Sequence, residues 1–560
     1  MKFDDLIINY LGEFGTYQRL QFLAVCLPTV VTAMHAFTWI FAAIEMPHRC
    51  RLPTESKNAS FWLSDRSPYL KMSDKCDGIK CYYKQCTFDE LDHCPHGLVY
   101  DHSTIGYNAI NKWDIACQWQ PLKPVIQSSY YVGQMIGSLV FGFLGDRIGR
   151  KKVFFIAILL QIISGFFLII APYWAMYGAL RVIVGAAHPG VFMITVVIGM
   201  ELVGPSKRKI ASIMAGVFFS IGEALLGVAA YYFQNDYRIL QAAIAIPSLF
   251  FLSYWWIVPE SARWLISQRR FAEADAVLQR VARANKTQLP EKWWEEIETP
   301  STETKAAAVA VAAMADEEKQ TLQNELRERR RHNFFDLLRT PRIRRISLAV
   351  FFCWPIVSMI FYGMAMKPTF LGGNIYSNFI FGSLMEIPSV LFIYVVLDKV
   401  GRKPVLAAGF VIAAVCTISN LLVDNTVSYF AIPQYLVSKG AITAVYACMY
   451  TYTPELFPTV IRNIAMGVCS MMARVGAILS SFISMWLTQR YGNWVMIVPF
   501  SIFGLLAALV IMTCLPETMS KELSETIEEL EGQNRAYELQ PLQAHEKKQV
   551  PSKDDLSAQQ

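Results

Sequence analysis

The sequence predicts an all-α membrane protein: twelve spanning helices in two pseudo-symmetric halves of six, with a disulfide-rich loop outside the bilayer. Three observations carry that prediction. Only 17% of the 560 residues are charged, 54% are hydrophobic and mean hydropathy is +0.32, against roughly 25% charged in soluble chains. Twelve apolar stretches each reach the about 20 residues a helix needs to cross ~30 Å of hydrocarbon. One unusual phrase stands twice, at matching places in the two halves. The same composition excludes a disordered chain, and a net charge of +6 is too small to argue for nucleic acid as a partner.

Residues 1–18 carry Asp4, Asp5 and Glu13 and no apolar core behind a basic start, so they read as a cytosolic amphipathic segment and not a cleaved leader. The first half then supplies spans at 19–43, 125–145, 153–171, 174–200, 211–233 and 240–258. A polar stretch at 259–345 reads as a cytosolic linker with surface helices, an alanine-rich patch at 306–313 and Arg329, Arg330 and Arg331. The second half, 346–515, supplies spans at 346–366, 375–397, 404–423, 428–452, 464–487 and 494–514. A polar cytosolic tail, 516–560, follows, with a short acidic helix near Glu522–Glu531. The runs are continuous, which favours helices over barrel strands alternating across about ten residues.

Cations set the orientation. Arg147, Arg150, Lys151, Lys152, Lys207, Arg208, Lys209, Arg402 and Lys403 all fall in loops that follow even-numbered spans. That side is therefore cytoplasmic, with both termini, and the 44–124 loop inside the first bundle is extracellular. The loop holds Cys50, Cys76, Cys81, Cys86, Cys94 and Cys117, as an oxidising compartment permits. Three disulfides are expected; six cysteines allow fifteen pairings and the sequence does not choose. C-x₂-C pairs suited to zinc are absent, so no metal site is expected. Asn58-Ala59-Ser60 is a glycosylation acceptor on this side, whereas Asn285-Lys286-Thr287 lies in the cytosolic linker and should stay bare.

The repeated phrase is Gly145-Asp146-Arg147-Ile148-Gly149-Arg150-Lys151 after span two and Leu397-Asp398-Lys399-Val400-Gly401-Arg402-Lys403 after span eight. Two copies at matching positions of a twelve-span chain indicate a parallel duplication around a central site. These residues resemble the major facilitator superfamily. Leu11-Gly12-Glu13-Phe14-Gly15, the cysteine-rich loop, Pro259-Glu260-Ser261-Ala262-Arg263-Trp264-Leu265, Glu455-Leu456-Phe457-Pro458-Thr459-Val460-Ile461-Arg462-Asn463 and Pro516-Glu517-Thr518 narrow the resemblance to its organic cation, anion and zwitterion solute carriers. It covers about 1–520. One departure is Ala262, where many relatives carry Pro. The resemblance implies the major facilitator fold, a plasma-membrane transporter working by alternating access, and gating roles for Asp146, Arg147, Arg150, Asp398, Arg402, Glu455 and Arg462.

An ionisable group at bilayer depth costs about 2.5–3.5 kcal/mol on insertion scales, so each one needs a cavity or a partner. The spans contain Arg181, Glu223, Glu386, Lys439 and Arg474, with His35 and His188. Glu386 matches an acidic position of cation and carnitine carriers, where it would attract an ammonium group; the alternative is a structural pair with a cation on a neighbouring helix. The resemblance puts Arg474 where cation carriers have Asp and anion or zwitterion carriers have Arg. Its guanidinium would hold a carboxylate with two parallel hydrogen bonds, or instead bridge to Glu386. Glu223 reads as a second ammonium ligand, a proton-coupling group or a partner of Arg181. Lys439 and Arg181 match positions usually basic and read as structural or gating, and the two histidines as satisfied core groups. Mid-span aromatics are Trp39, Tyr130, Tyr131, Trp354, Phe361 and Tyr362. Trp354 and Phe361 share a helix face and match cavity positions able to hold an organic cation, with Tyr130 and Tyr362 alongside.

The expected function is transport of small zwitterions of the carnitine or β-alanine type. An organic cation carrier with a structural Arg474 comes second, an organic anion carrier third, and a transport-dead receptor is the rival of another class. A sugar porter shares the Pro-Glu-Ser phrase but leaves the buried charges and the ectodomain unexplained. No P-loop is present and no catalytic constellation or cofactor is expected. A coupling ion, Na⁺ or H⁺, stays open.

Overall fold

The computed structural model describes residues 3–531 apart from 53–54, 57–58, 63–74, 78–79, 83–93, 95, 104, 291–292, 295–333, 371, 423–427, 520–523, 525–526 and 528–529. Asn58, Cys86, the 306–313 patch and Arg329–Arg331 lie outside the described residues.

The first bundle contains α1 (Thr16–Ala42), α2 (Leu122–Ile148), α3 (Arg150–Ile170), α4 (Trp174–Leu202), α5 (Arg208–Tyr232) and α6 (Tyr237–Ser248), the last running on in short helical turns to Ile257. The second contains α7 (Pro341–Met366), α8 (Ile375–Val400), α9 (Arg402–Ser419), α10 (Ser428–Leu456), α11 (Thr459–Phe482) and α12 (Trp494–Cys514). Among the described residues ten helices are long and apolar enough to cross a membrane. The other two of these twelve, α2 and α10, have the length and a lower hydropathy for a physical reason. Their polar side chains, Gln127, Gln134, Ser438 and Lys439 among them, are buried against other helices and do not face lipid.

Small residues bring the helices of one bundle together. A Cβ on Gly133 or Gly137 of α2 would run into the backbone of Val182 or Ala186 on α4, and one on Gly185 into the carbonyl of Tyr130. Without a hydrophobic drive between helices in lipid, such close backbone approach supplies the association.

In the 44–124 loop, β1 (His48–Cys50) pairs with β4 (Leu98–Tyr100), and β2 (Lys75–Asp77) with β3 (Lys80–Tyr82), both antiparallel. Cys50 is bonded to Cys94, and Cys117 is disulfide-bonded too. Buried Arg49 grips Glu55 through two hydrogen bonds of 2.8 and 2.7 Å, and these bonds hold the Glu55 carboxyl below its ordinary value. In the linker, helix Phe271–Asn285 packs on the N-terminal segment. Asn285, the second glycosylation-type asparagine, is a structural clamp: it donates to the Leu11 carbonyl and Gln18 Oε1 and accepts from Tyr17 N–H.

The two bundles meet chiefly on the side that carries the loop. Phe41 stacks on Tyr376 and edges onto Phe379, Phe37 packs on Tyr362 and Phe379, and Tyr231 on Tyr376. Gln489 donates to Glu45 at 3.0 Å. Toward the opposite end, Gly216 of α5 and Gly467 of α11 face open space.

Candidate functional site

Four helices bring Glu223, Glu386, Lys439 and Arg474 to mid-depth, in two groups separated by a layer of rings. In the first, Lys439 Nζ of α10 lies 2.7 Å from Glu386 Oε1 of α8 and 3.7 Å from the centre of the Phe361 ring of α7. Pro388, two residues beyond Glu386, withholds one helix hydrogen bond there. The other oxygen of Glu386 accepts from Ser220 Oγ at 2.8 Å. Glu223, one turn beyond Ser220 on α5, accepts from Ser383 Oγ at 3.1 Å and lies within hydrogen-bonding reach of Glu386. Glu223, Glu386 and Lys439 are all buried.

In the second group, Arg474 of α11 lies beside the phenols of Tyr362, Tyr446 and Tyr450. Among the described residues no carboxylate forms an ion pair with it, and its Nε has no hydrogen-bond partner. Tyr446 stacks on Phe361 with ring centres 5.2 Å apart, so one aromatic layer separates the two groups. Trp354 donates to Thr453 at 3.1 Å and meets Tyr450 edge-on.

Several expectations change. Glu386 pairs with Lys439 and not with Arg474, because α10 and α7 bring the ammonium and an aromatic face to the same carboxylate. Glu223 joins that cluster and is no partner of Arg181. Arg181 instead donates to the His35 carbonyl at 2.6 Å and Gln127 Oε1 at 2.8 Å, and lies 4.6 Å over the Tyr130 ring. It is a strut between α1, α2 and α4. His188 is bonded to the Tyr130 hydroxyl at 2.8 Å, but both ring nitrogens of buried His35 lack partners among the described residues. Sequence reasoning missed Ser220, Ser383, Tyr446 and Tyr450. Two signals were available: Ser-x-x-Glu recurs in spans five and eight, and Tyr446 and Tyr450 are one helical turn apart.

The repeated turns form a second constellation at the far end. Gly149 and Gly401 take φ of +107° and +101°, a conformation that favours glycine. Arg150 reaches Asp146 at 2.7 Å and Glu201 at 3.5 Å; Arg402 reaches Asp398 and Glu455, each at 3.1 Å. Glu260 accepts from Lys151 N–H at 2.9 Å, and Glu517 from the N–H groups of Arg402 and Lys403 at 3.0 and 2.9 Å. Each carboxylate thus caps the helix that begins after the glycine, where orphan N–H groups and the helix dipole favour an anion. Arg147 stacks on Phe143 and Arg462 donates to the Phe457 carbonyl.

Residues 118–530 match the family described as sugar (and other) transporter. The chain is 34% identical to an organic cation transporter protein of Drosophila melanogaster over 95% of both chains. It is 27% identical to human organic cation/carnitine transporter 2, over 95% of this chain and 94% of that one. Its fold is similar to the inward open conformation of the xylose transporter XylE from E. coli, with a TM-score of 0.56 and 18% identity over 92% of this chain and 99% of that one.

Proposed function

The chain belongs to the major facilitator superfamily, in its sugar (and other) transporter family and among the organic cation and carnitine solute carriers, and from that premise we propose that it carries small organic zwitterions across the plasma membrane by alternating access. The substrate's ammonium group would lie at Glu386 and Glu223 against Phe361, and its carboxylate at Arg474. Trp354, Tyr362 and Tyr130 would wall the cavity.

The observation that carries this reading is the contrast between the two buried charges. Glu386 already holds an ammonium, that of Lys439, with Phe361 beneath it; the site has the chemistry to bind an amine. Arg474 is a buried guanidinium among hydroxyls with no carboxylate ion-paired to it among the described residues. A buried charge without a counter-ion is strongly disfavoured, so an incoming carboxylate meets a fork of donors that no acid occupies among the described residues. A zwitterion satisfies both ends and adds no net charge. The two acids facing one lysine favour a second reading, an organic cation carrier in which the phenols alone shield Arg474.

Uptake of matched amine, acid and zwitterion probes, normalised to surface protein, separates the two. Arg474→Ala should weaken carboxylate-bearing probes well over tenfold and simple amines least, since losing one partner of a buried charged hydrogen bond costs roughly 2–5 kcal/mol. Glu386→Gln should show the reverse order. Equal losses for the three probes would end the recognition reading.

With the cysteine-rich loop outside and both termini in the cytoplasm, the aromatic seam between the bundles is on the extracellular side and the repeated turns are on the cytoplasmic side. A glycan lost from the surface protein in Asn58→Gln, together with no alkylatable thiol among the six loop cysteines, is the expected result for this topology.

A further inference from the structure

Spans five and eight carry the same phrase, Ser220-Ile221-Gly222-Glu223 and Ser383-Leu384-Met385-Glu386. The helices run antiparallel across the seam between the bundles, with Tyr231 against Tyr376, Glu223 against Ser383, and Ser220 against Glu386. Each serine hydroxyl donates to the glutamate of the other helix, at 2.8 and 3.1 Å, so the two phrases clasp one another reciprocally. The clasp is the deepest of the inter-bundle bonds described above; the rest lie toward the loop side.

Charge counting makes this clasp unusual. Lys439 neutralises Glu386, which leaves Glu223 as a surplus acid at bilayer depth, its Oε1 without a partner among groups that donate as ordinarily protonated. Two carboxyl groups within hydrogen-bonding reach attract only when one proton lies between them; two carboxylates repel. The other titratable groups around the pair are Lys439 and Tyr435, both from α10. The face of α1 packed on Gly222 of α5 supplies Val30 and Ala33, and α4 meets α5 through His188 against Phe219. None of these supplies a second cation to the acids.

We propose that Glu223 and Glu386 form a proton-binding site, in which one exchangeable proton shared by the two carboxyl groups fastens α5 to α8 and makes H⁺ the coupling ion. When a substrate ammonium arrives, the O–H bond of the shared carboxyl breaks and the proton leaves to water. The ammonium brings the same single positive charge, so the buried charge is unchanged by the exchange. The inference rests on the amine-binding reading above only for that displacement. The proton itself is a property of the empty protein.

The test therefore uses the full-length purified protein in lipid without substrate. Infrared spectroscopy should show the carbonyl band of a buried protonated carboxyl at neutral pH, lost when pH is raised. The band should be absent from both Glu223→Gln and Glu386→Gln, because one proton needs both acids. In parallel, pulsed electron resonance reads the distance between labels at Tyr232→Cys and Ile375→Cys, with Cys416 and Cys514 replaced by serine. In the parent that distance should lengthen as pH rises. In Glu223→Gln it should stay short at every pH, because the amide N–H replaces the shared proton permanently; a merely structural role gives variant and parent the same profile. No band in the parent at neutral pH, a band surviving in both variants, or a Glu223→Gln distance that follows the parent would overturn the proposal. None of these outcomes depends on which substrate is carried, so a failed uptake assay and a failed proton site stay distinct.

Discussion

The two repeated turns are copies in sequence and differ in mechanics. In the second half Arg402 forks onto Glu455 with bonds of 3.1 and 3.3 Å, also meets Asp398, and donates to the Leu397 carbonyl. Thr518 adds a donor to Glu455, and Glu517 collects four backbone N–H groups, those of Arg402, Lys403, Thr518 and Met519. In the first half Arg150 has one short bond, to Asp146, and stands 3.5 Å from Glu201. Glu260 collects two N–H groups, of Lys151 and Ser261. Asp146 is 74% exposed against 51% for Asp398. Duplication supplied the same residues twice. The second copy carries the denser set of bonds; we expect it to act as a fixed joint, and the more exposed Asp146 of the first to change partners.

The largest expected effect comes from breaking the stronger joint. Arg402→Ala leaves Glu455 half-buried without its cation, a loss of about 2 kcal/mol by the scale for hydrogen bonds to charged groups. Arg150→Ala should cost about 1 kcal/mol or less, because its one short bond is to the exposed Asp146 and Glu201 stands at the longer distance of 3.5 Å. Thermal unfolding of the purified variants gives the order. Double-mutant cycles, Arg402 with Glu455 and Arg150 with Glu201, give the coupling itself. Equal coupling in the two cycles would erase the distinction between joint and moving part.

The next test concerns turnover. Asp146 is too exposed for its bond to Arg150 to contribute more than roughly 0.5 kcal/mol to stability. Asp146→Asn should therefore fold and reach the surface normally. If Asp146 takes a new partner when the end carrying the repeated turns changes between open and closed, initial uptake rates should nevertheless fall tenfold or more, and Asp398→Asn should lose less. Full uptake by surface-expressed Asp146→Asn removes the gating role.

The sequence made the helices, the duplication and the identity of the buried charges legible, because apolar runs, glycine turns and isolated ionisable residues are local signals. Which charge meets which was not legible. Glu386 pairs with Lys439, 53 positions away, because α8 and α10 pack side by side, and nothing near either residue encodes that neighbour. Asn285 taught the same lesson from the other direction. Its N-x-T spacing is a local pattern, yet its work is long-range, tying the linker helix to Leu11, Tyr17 and Gln18. The Ser-x-x-Glu copies were readable in principle, but their meaning appears only when antiparallel packing sets each serine against the opposite glutamate.

The smallest expected effect sharpens the comparison through pH. Backbone hydrogen bonds hold the Glu517 carboxyl below its ordinary value, outweighing the opposing push of partial burial. A group whose folded pKa is depressed stabilises the fold above its unfolded value, about 4.3 for glutamate, and loses that contribution as pH falls through the folded value. The second-half cap should thus persist into mildly acidic solution and weaken only below the usual carboxylate range. Glu517→Gln removes the charge, so the gap in thermal stability between parent and variant should be constant near neutrality and shrink at the acid end. Glu260, with half as many donors, should give a smaller gap in Glu260→Gln under the same conditions. A gap for Glu260 equal to or larger than that for Glu517 would mean that the count of N–H donors does not set the strength of these caps. The difference between the halves would then rest on the arginines alone.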